Sequence, residues 1–206
     1  MTPVGFDTNV FVNCPFDTEY LPLLRPLLFT IIDLGFTPRI SLERLDSGAP
    51  RIERIIELIQ ESKYGIHDLS RLEAKSAGEV FRLNMPFELG VDAACRLFKG
   101  PPWSTKKCLI LETEKYRYQA ALSDMSNSDI GVHWDHPVQI VKVARDWLSN
   151  EAKLHASGPA KIWNRFNEFM AQNYIDLNAR GFSDDNIKNL PIAELIDCMQ
   201  RWTTGR

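Results

Sequence analysis

Glu88 stands in the stretch Asn84-Met-Pro-Phe-Glu88-Leu-Gly90. A carboxylate in the first turn of a helix feels the positive helix end, which favours its ionised form. The apolar neighbours Met85, Pro86, Phe87 and Leu89 act the other way, because desolvation raises a carboxyl pKa. Opposed influences of this kind suit nucleophilic or acid–base work. The plainer alternative is an ordinary carboxylate at a helix start. Gly90 lacks a side chain inside the same expected helix, which points to close approach of a ligand or another backbone.

Asn13-Cys14-Pro-Phe16-Asp17 is a second constellation. Its functional reading has loop amides and a helix amino end receiving a phosphate or ribose, with Phe16 stacked on a base. Its structural reading has Asp17 capping the next helix beside Thr18. A third stretch, 64–70, holds His67, Asp68 and Ser70. His67 and Asp68 are adjacent in an expected strand, so they point to opposite faces and form no dyad. One of them reaches a cleft and the other is buried with a partner or contacts a loop, a satisfied structural histidine being the plainer reading; Ser70 ends the strand, as a cleft residue or a turn or capping residue. Asp46 and Ser47, before Gly48, are loop chemistry at another strand end. Arg117 is a phosphate clamp or a solvated helix residue.

Several chemistries lack their motif. There is no P-loop and no GxGxxG fingerprint, which argues against a mononucleotide kinase and an ordinary dehydrogenase. No GxSxG elbow exists, so an α/β-hydrolase reading fails. Cysteines 14, 95, 108 and 198 form no CxxC pair, and histidines 67, 133, 136 and 155 show no ligand spacing with them. No metal site is expected, and the thiols read as reduced in a cytoplasmic protein.

The elements that must position these residues alternate. Strand-like runs are expected at 9–13, 36–42, 64–70, 107–112 and 130–134. Helical spacing is expected over 20–34, 51–62, 87–98, 116–125 and 138–148, with Gly35 stopping the first helix and Pro26 kinking or delaying it. Residues 71–83 read as a polar loop. The alternation predicts an α/β fold, a mostly parallel sheet with helices on both faces. Such sheets bind ligands at the carboxyl ends of their strands. Asn13 to Asp17, Asp46 to Gly48 and His67 to Ser70 all fall there, so one shared cleft is predicted. After Ser149 the pattern becomes helical only, with helices over 162–174 and 191–202. We read residues 1–150 as the α/β domain and 151–206 as a C-terminal helical appendage that packs on the sheet domain or on a neighbour.

The 206 residues carry 24 basic and 27 acidic side chains, a net charge of −3 that gives no general drive toward nucleic acid. No apolar run reaches the roughly 18 residues of a membrane span. The start lacks a basic and apolar secretory signature.

The order of these motifs resembles the Toll/interleukin-1 receptor (TIR) domain, particularly the bacterial TIR-like proteins of anti-phage defence. The residues that carry it are Val10-Phe-Val-Asn-Cys-Pro-Phe-Asp17, Asp46-Ser-Gly48, Ser70, and Glu88 on the following helix. The plan, with Glu88-Leu-Gly90, is also similar to nucleoside 2-deoxyribosyltransferases. The resemblance covers about residues 9–147. The first strand departs from the TIR pattern by ending in Asn-Cys-Pro-Phe-Asp where Tyr-Ser is common. Asn84-Met-Pro-Phe precedes the glutamate where Ser-x-x-Trp is usual.

The resemblance implies a flavodoxin-like five-stranded sheet and cleavage of an N-glycosidic bond. Glu88 would be the catalytic residue, stabilising an oxocarbenium-like cation or trapping C1. Asn13, Cys14, Phe16, Asp17, Asp46, Ser47, His67, Asp68, Ser70 and Asn84 would line the substrate site. NAD would be the substrate, with no other cofactor and no metal. The expected partners are a second copy of the chain or a defence-system protein, with no direct nucleic acid and no membrane. The alternatives are a deoxyribosyltransferase-like enzyme and a non-catalytic nucleotide-sensing scaffold.

Overall fold

The computed structural model describes residues 2–43, 50–72, 83–115, 117–120, 122–123 and 129–205. Asp46 and Ser47 lie outside the described residues. Short runs rich in β-branched and other apolar residues form strands β1 (Asn9–Asn13), β2 (Thr37–Arg39), β3 (Tyr64–Asp68), β4 (Lys107–Glu112) and β5 (Asp129–Val132). All pair in parallel, in the order β2-β1-β3-β4-β5. This is the flavodoxin-like order, and its switch point lies between β1 and β3.

Helices α1 (Leu21–Asp33), α2 (Arg51–Gln60), α3 (Asn84–Phe98) and α4 (Pro137–Glu151) cover the sheet. Alternation along each strand sorts the core. Val10, Val12, Tyr64, Ile66, Leu109 and Leu111 pack toward α1 and α4. Phe11 and Ile110 pack toward α2 and α3. Helix α1 runs on through Pro26. It ends where Gly35 takes φ +86°, and Phe36 N–H then donates to Ile31 O at 3.0 Å. Only glycine adopts that φ without strain.

The carboxyl-terminal segment forms α5 (Pro159–Ala179), α6 (Asp184–Lys188) and α7 (Ile192–Thr204). Its apolar face is spent inside the molecule. Ile162, Phe166, Phe169, Leu177, Leu195 and Met199 are buried in the same cluster as Leu24, Leu28 and Phe29 of α1. Phe29 stacks on Phe169, with ring centroids 5.7 Å apart. Arg165 adds an ion pair to Asp33 at 3.0 Å. Among the described residues, no helix is long and apolar enough to cross a membrane.

Candidate functional site

Helix α3 begins at Asn84, three residues before the apolar spacing predicts, with Pro86 tolerated in its first turn. Glu88 is therefore the fifth helical residue, a full turn inside. That corrects the expected influence of the helix end, which fades within the first turn. Burial decides the outcome. Glu88 is buried, and its carboxyl is pushed up to about 7 by desolvation, with the Arg51 guanidinium offsetting part of the rise.

Glu88 differs from the other buried carboxylates near the carboxyl ends of the strands. Asp68 accepts from Tyr20 Oη and from Ser70 N–H at 2.8 Å, and its Oδ2 lies 3.2 Å from His133 Nε2. Burial would raise Asp68, but these partners outweigh it and hold its pKa below the usual range. Glu112 is doubly bound by Arg117, at 2.8 and 3.1 Å. Glu88 makes no hydrogen bond or ion pair with a described residue, although only 5% of its surface is exposed.

Around Glu88 the polar groups are held from within. Asn13, at the end of β1, donates from Nδ2 to Met85 O at 2.8 Å and to His67 Nδ1 at 3.0 Å. Since Nδ1 accepts, the proton of His67 sits on Nε2 and donates to Asp92 Oδ2 at 3.0 Å. Asp92 Oδ1 lies 3.1 Å from the buried Lys106 ammonium, which also donates to Ile59 O at 2.8 Å and to Ser62 O. Gly65 makes room for this: a Cβ there would collide with Asp92 Oδ2 and sit 3.0 Å from His67 Nε2. At Gly90, by contrast, a Cβ meets nothing of this chain within 4 Å, so no close approach from within the chain explains that glycine.

The predicted site residues divide accordingly. Asn13, Cys14, His67, Asp68, Ser70 and Glu88 gather at the carboxyl ends of β1 and β3. The Cys14 thiol is fully buried and held neutral by burial, then by the nearby charges of Asp68, Glu88 and Asp17. His67 and Asp68 are enclosed, on opposite faces of the sheet, and what they hold is protein. Asp17 Oδ1 accepts from Tyr20 N–H at 2.9 Å, shaping the turn into α1. Phe16 is half-buried against the main core. Asn84 is exposed on the first turn of α3. Arg117 is not a solvated helix residue: besides Glu112 it binds Ser70 O, tying together the segments after β3 and β4.

Among the described residues, Asn13 Oδ1 after β1, Ser70 Oγ after β3 and Thr113 Oγ1 after β4 are buried polar atoms without a hydrogen-bond partner. Buried polar groups are normally satisfied, so each of these atoms keeps an unused hydrogen-bonding capacity at its strand end. His67, Asp92 and Cys108 bring donor atoms within 4.8 Å of one another. A cation there would have to displace Lys106 from Asp92 and the proton from His67 Nε2, so these donors fit a metal poorly. Sequence spacing missed Asp92 and Lys106. The available signal was the Glu88/Asp92 interval of four, which places both carboxyls on one helix face.

Comparison with protein-family models, curated proteins and solved structures finds no match to this chain.

Proposed function

We propose that this protein cleaves the N-glycosidic bond of a nucleotide of the NAD class, with Glu88 as the catalytic carboxylate. The observation that carries the reading is that Glu88 is buried beside the sheet's switch point with no hydrogen-bond or ion-pair partner among the described residues. A carboxylate kept this way costs stability, and such groups cluster where substrate supplies the missing charge. The pyridinium of NAD is cationic, and the ribosyl C1 becomes cationic as the base departs. Both favour ionised Glu88, which then answers the oxocarbenium-like charge. Asn13 Oδ1 and Ser70 Oγ would meet ribose or phosphate groups. Water completes the reaction at C1.

A neutral deoxynucleoside offers no counter-charge before bond cleavage, which makes it the weaker substrate on this account. The test is incubation of the full chain with NAD and, separately, with deoxynucleosides, with products identified by mass spectrometry. Nicotinamide together with ADP-ribose or a cyclised form of it is the expected result. Intact NAD with exchanged deoxynucleoside bases would favour the transferase, and no product from either would refute glycosidic cleavage.

A further inference from the structure

Helix α3 is apolar on two opposite faces. Its inner face buries Met85, Leu89 and Cys95. On its outer face Leu83, Phe87, Leu97 and Phe98 are 66, 57, 66 and 84% exposed. Leu83, just before the helix, and then Phe87, Gly90, Ala94 and Leu97 follow one another at intervals of four, three, four and three. That is the spacing of a seam between two helices, not of a solvated face. No charged residue interrupts it; Arg96 and Lys99 stand beside its end. A cluster of large exposed apolar side chains marks an interaction site rather than ordinary surface.

We propose that this face pairs two copies of the chain, with their α3 helices antiparallel and crossing at Gly90. The seam is self-complementary about that residue. With Gly90 on the two-fold axis, Leu83 of one copy faces Leu97 of the other, and the large Phe87 faces the small Ala94. A two-fold interface needs this self-matching, because the same patch serves both sides. Gly90 then has a reason: the space beyond its missing side chain is filled by the second backbone. Antiparallel packing also sets opposite helix ends together.

The area reaches the lower end of what a specific pair needs. With an aromatic side chain offering about 150–250 Å², the four large side chains present roughly 500 Å² per copy. Over two copies that is about 1,000 Å², the lower bound of a specific interface. The pairing is independent of the reaction proposed for Glu88.

Sedimentation velocity on the full chain tests it. The wild type should sediment as a dimer of 23.6 kDa chains. Gly90→Arg should be monomeric, with its helical circular dichroism retained because the position is open on the single chain. Leu97→Glu should weaken pairing by about 30-fold or more, the loss expected of a central interface residue; it decides the matter if Gly90→Arg does not fold. Val4→Glu, on another exposed apolar residue, should leave the dimer intact. A wild type that stays monomeric up to about 100 µM, well above the Kd of a specific pair, overturns the proposal. So does a dimer that persists in Gly90→Arg or Leu97→Glu.

Discussion

Lys106 meets Asp92 at 3.1 Å in the interior, where neither side chain is more than 4% exposed. The ammonium has two carbonyls besides, and the carboxylate has His67, so each charge is held from several sides. Breaking such a pair from one side is costly, because the remaining charge stays buried. Asp92→Ala should therefore lose about 3–5 kcal/mol in urea unfolding. Asp92→Asn, which keeps an acceptor for Lys106 or His67, should lose less. A loss below about 1 kcal/mol for Asp92→Ala, the range of an exposed pair, would contradict this account.

Burial alone would raise Asp92, but the His67 hydrogen bond and Lys106 hold its pKa below 3.8. Its stabilising contribution is thus complete above the unfolded value and lost as pH falls through the lower folded value. Acid unfolding of the wild type should steepen below about pH 4, and Asp92→Asn should flatten that limb.

Gly65→Ala should destabilise by about 1–3 kcal/mol, the usual cost of overpacking. Its Cβ enters the space of the Asp92 carboxylate and the His67 ring. An alanine variant as stable as wild type in thermal unfolding would show that the network has slack.

The elements were legible where apolar spacing was strong. The spacing around Leu24, Leu28 and Ile31 marked α1, and Lys107–Glu112 was plain as a buried strand. Helix α6 was not legible, because Asp184–Lys188 has no apolar face and rests on a capping box from Ser183 to Asn186. The start of α3 was missed because Pro86 reads as a boundary, although a first turn accepts proline. At the site, Glu88 and Asn13 stood out by position at strand and helix ends. Lys106 did not, since its pairing with Asp92 is made by the tertiary fold, across the turn at Trp103–Thr105. Gly65 and Gly90 look alike in sequence, and only packing separates a glycine needed for room from one facing open space.

The tail should prove inseparable from the sheet domain. Truncation near Ser157 removes Ile162, Phe166, Phe169, Leu177, Leu195 and Met199 from the shared core. At roughly 1.5–3 kcal/mol per buried apolar side chain, the loss reaches the about 5–15 kcal/mol that holds a whole domain. The truncated chain should show no cooperative thermal transition; a sharp transition near the wild-type temperature would contradict the continuity of the core.

Glu88 should cost the protein stability at alkaline pH. Its folded pKa of about 7 exceeds the ordinary 4.5. The folded state therefore holds the proton more tightly, and wild-type stability falls as pH rises from about 4.5 to about 7. Glu88→Gln removes that penalty. Thermal unfolding at pH 8 should find the variant more stable, by at most about 3 kcal/mol at 1.4 kcal/mol per pKa unit, and the difference should vanish near pH 4. A variant no more stable than wild type at pH 8 would show that Glu88 is satisfied in a way the geometry does not provide.

Turnover of NAD by wild type and Glu88→Gln, side by side at pH 8, tests the central claim most directly. The substitution keeps size and loses charge, so the fold survives while stabilisation of the ribosyl cation disappears. The account predicts nicotinamide release by the wild type and a rate on the order of 10²–10³ lower in the variant. Equal rates in the two proteins would contradict it.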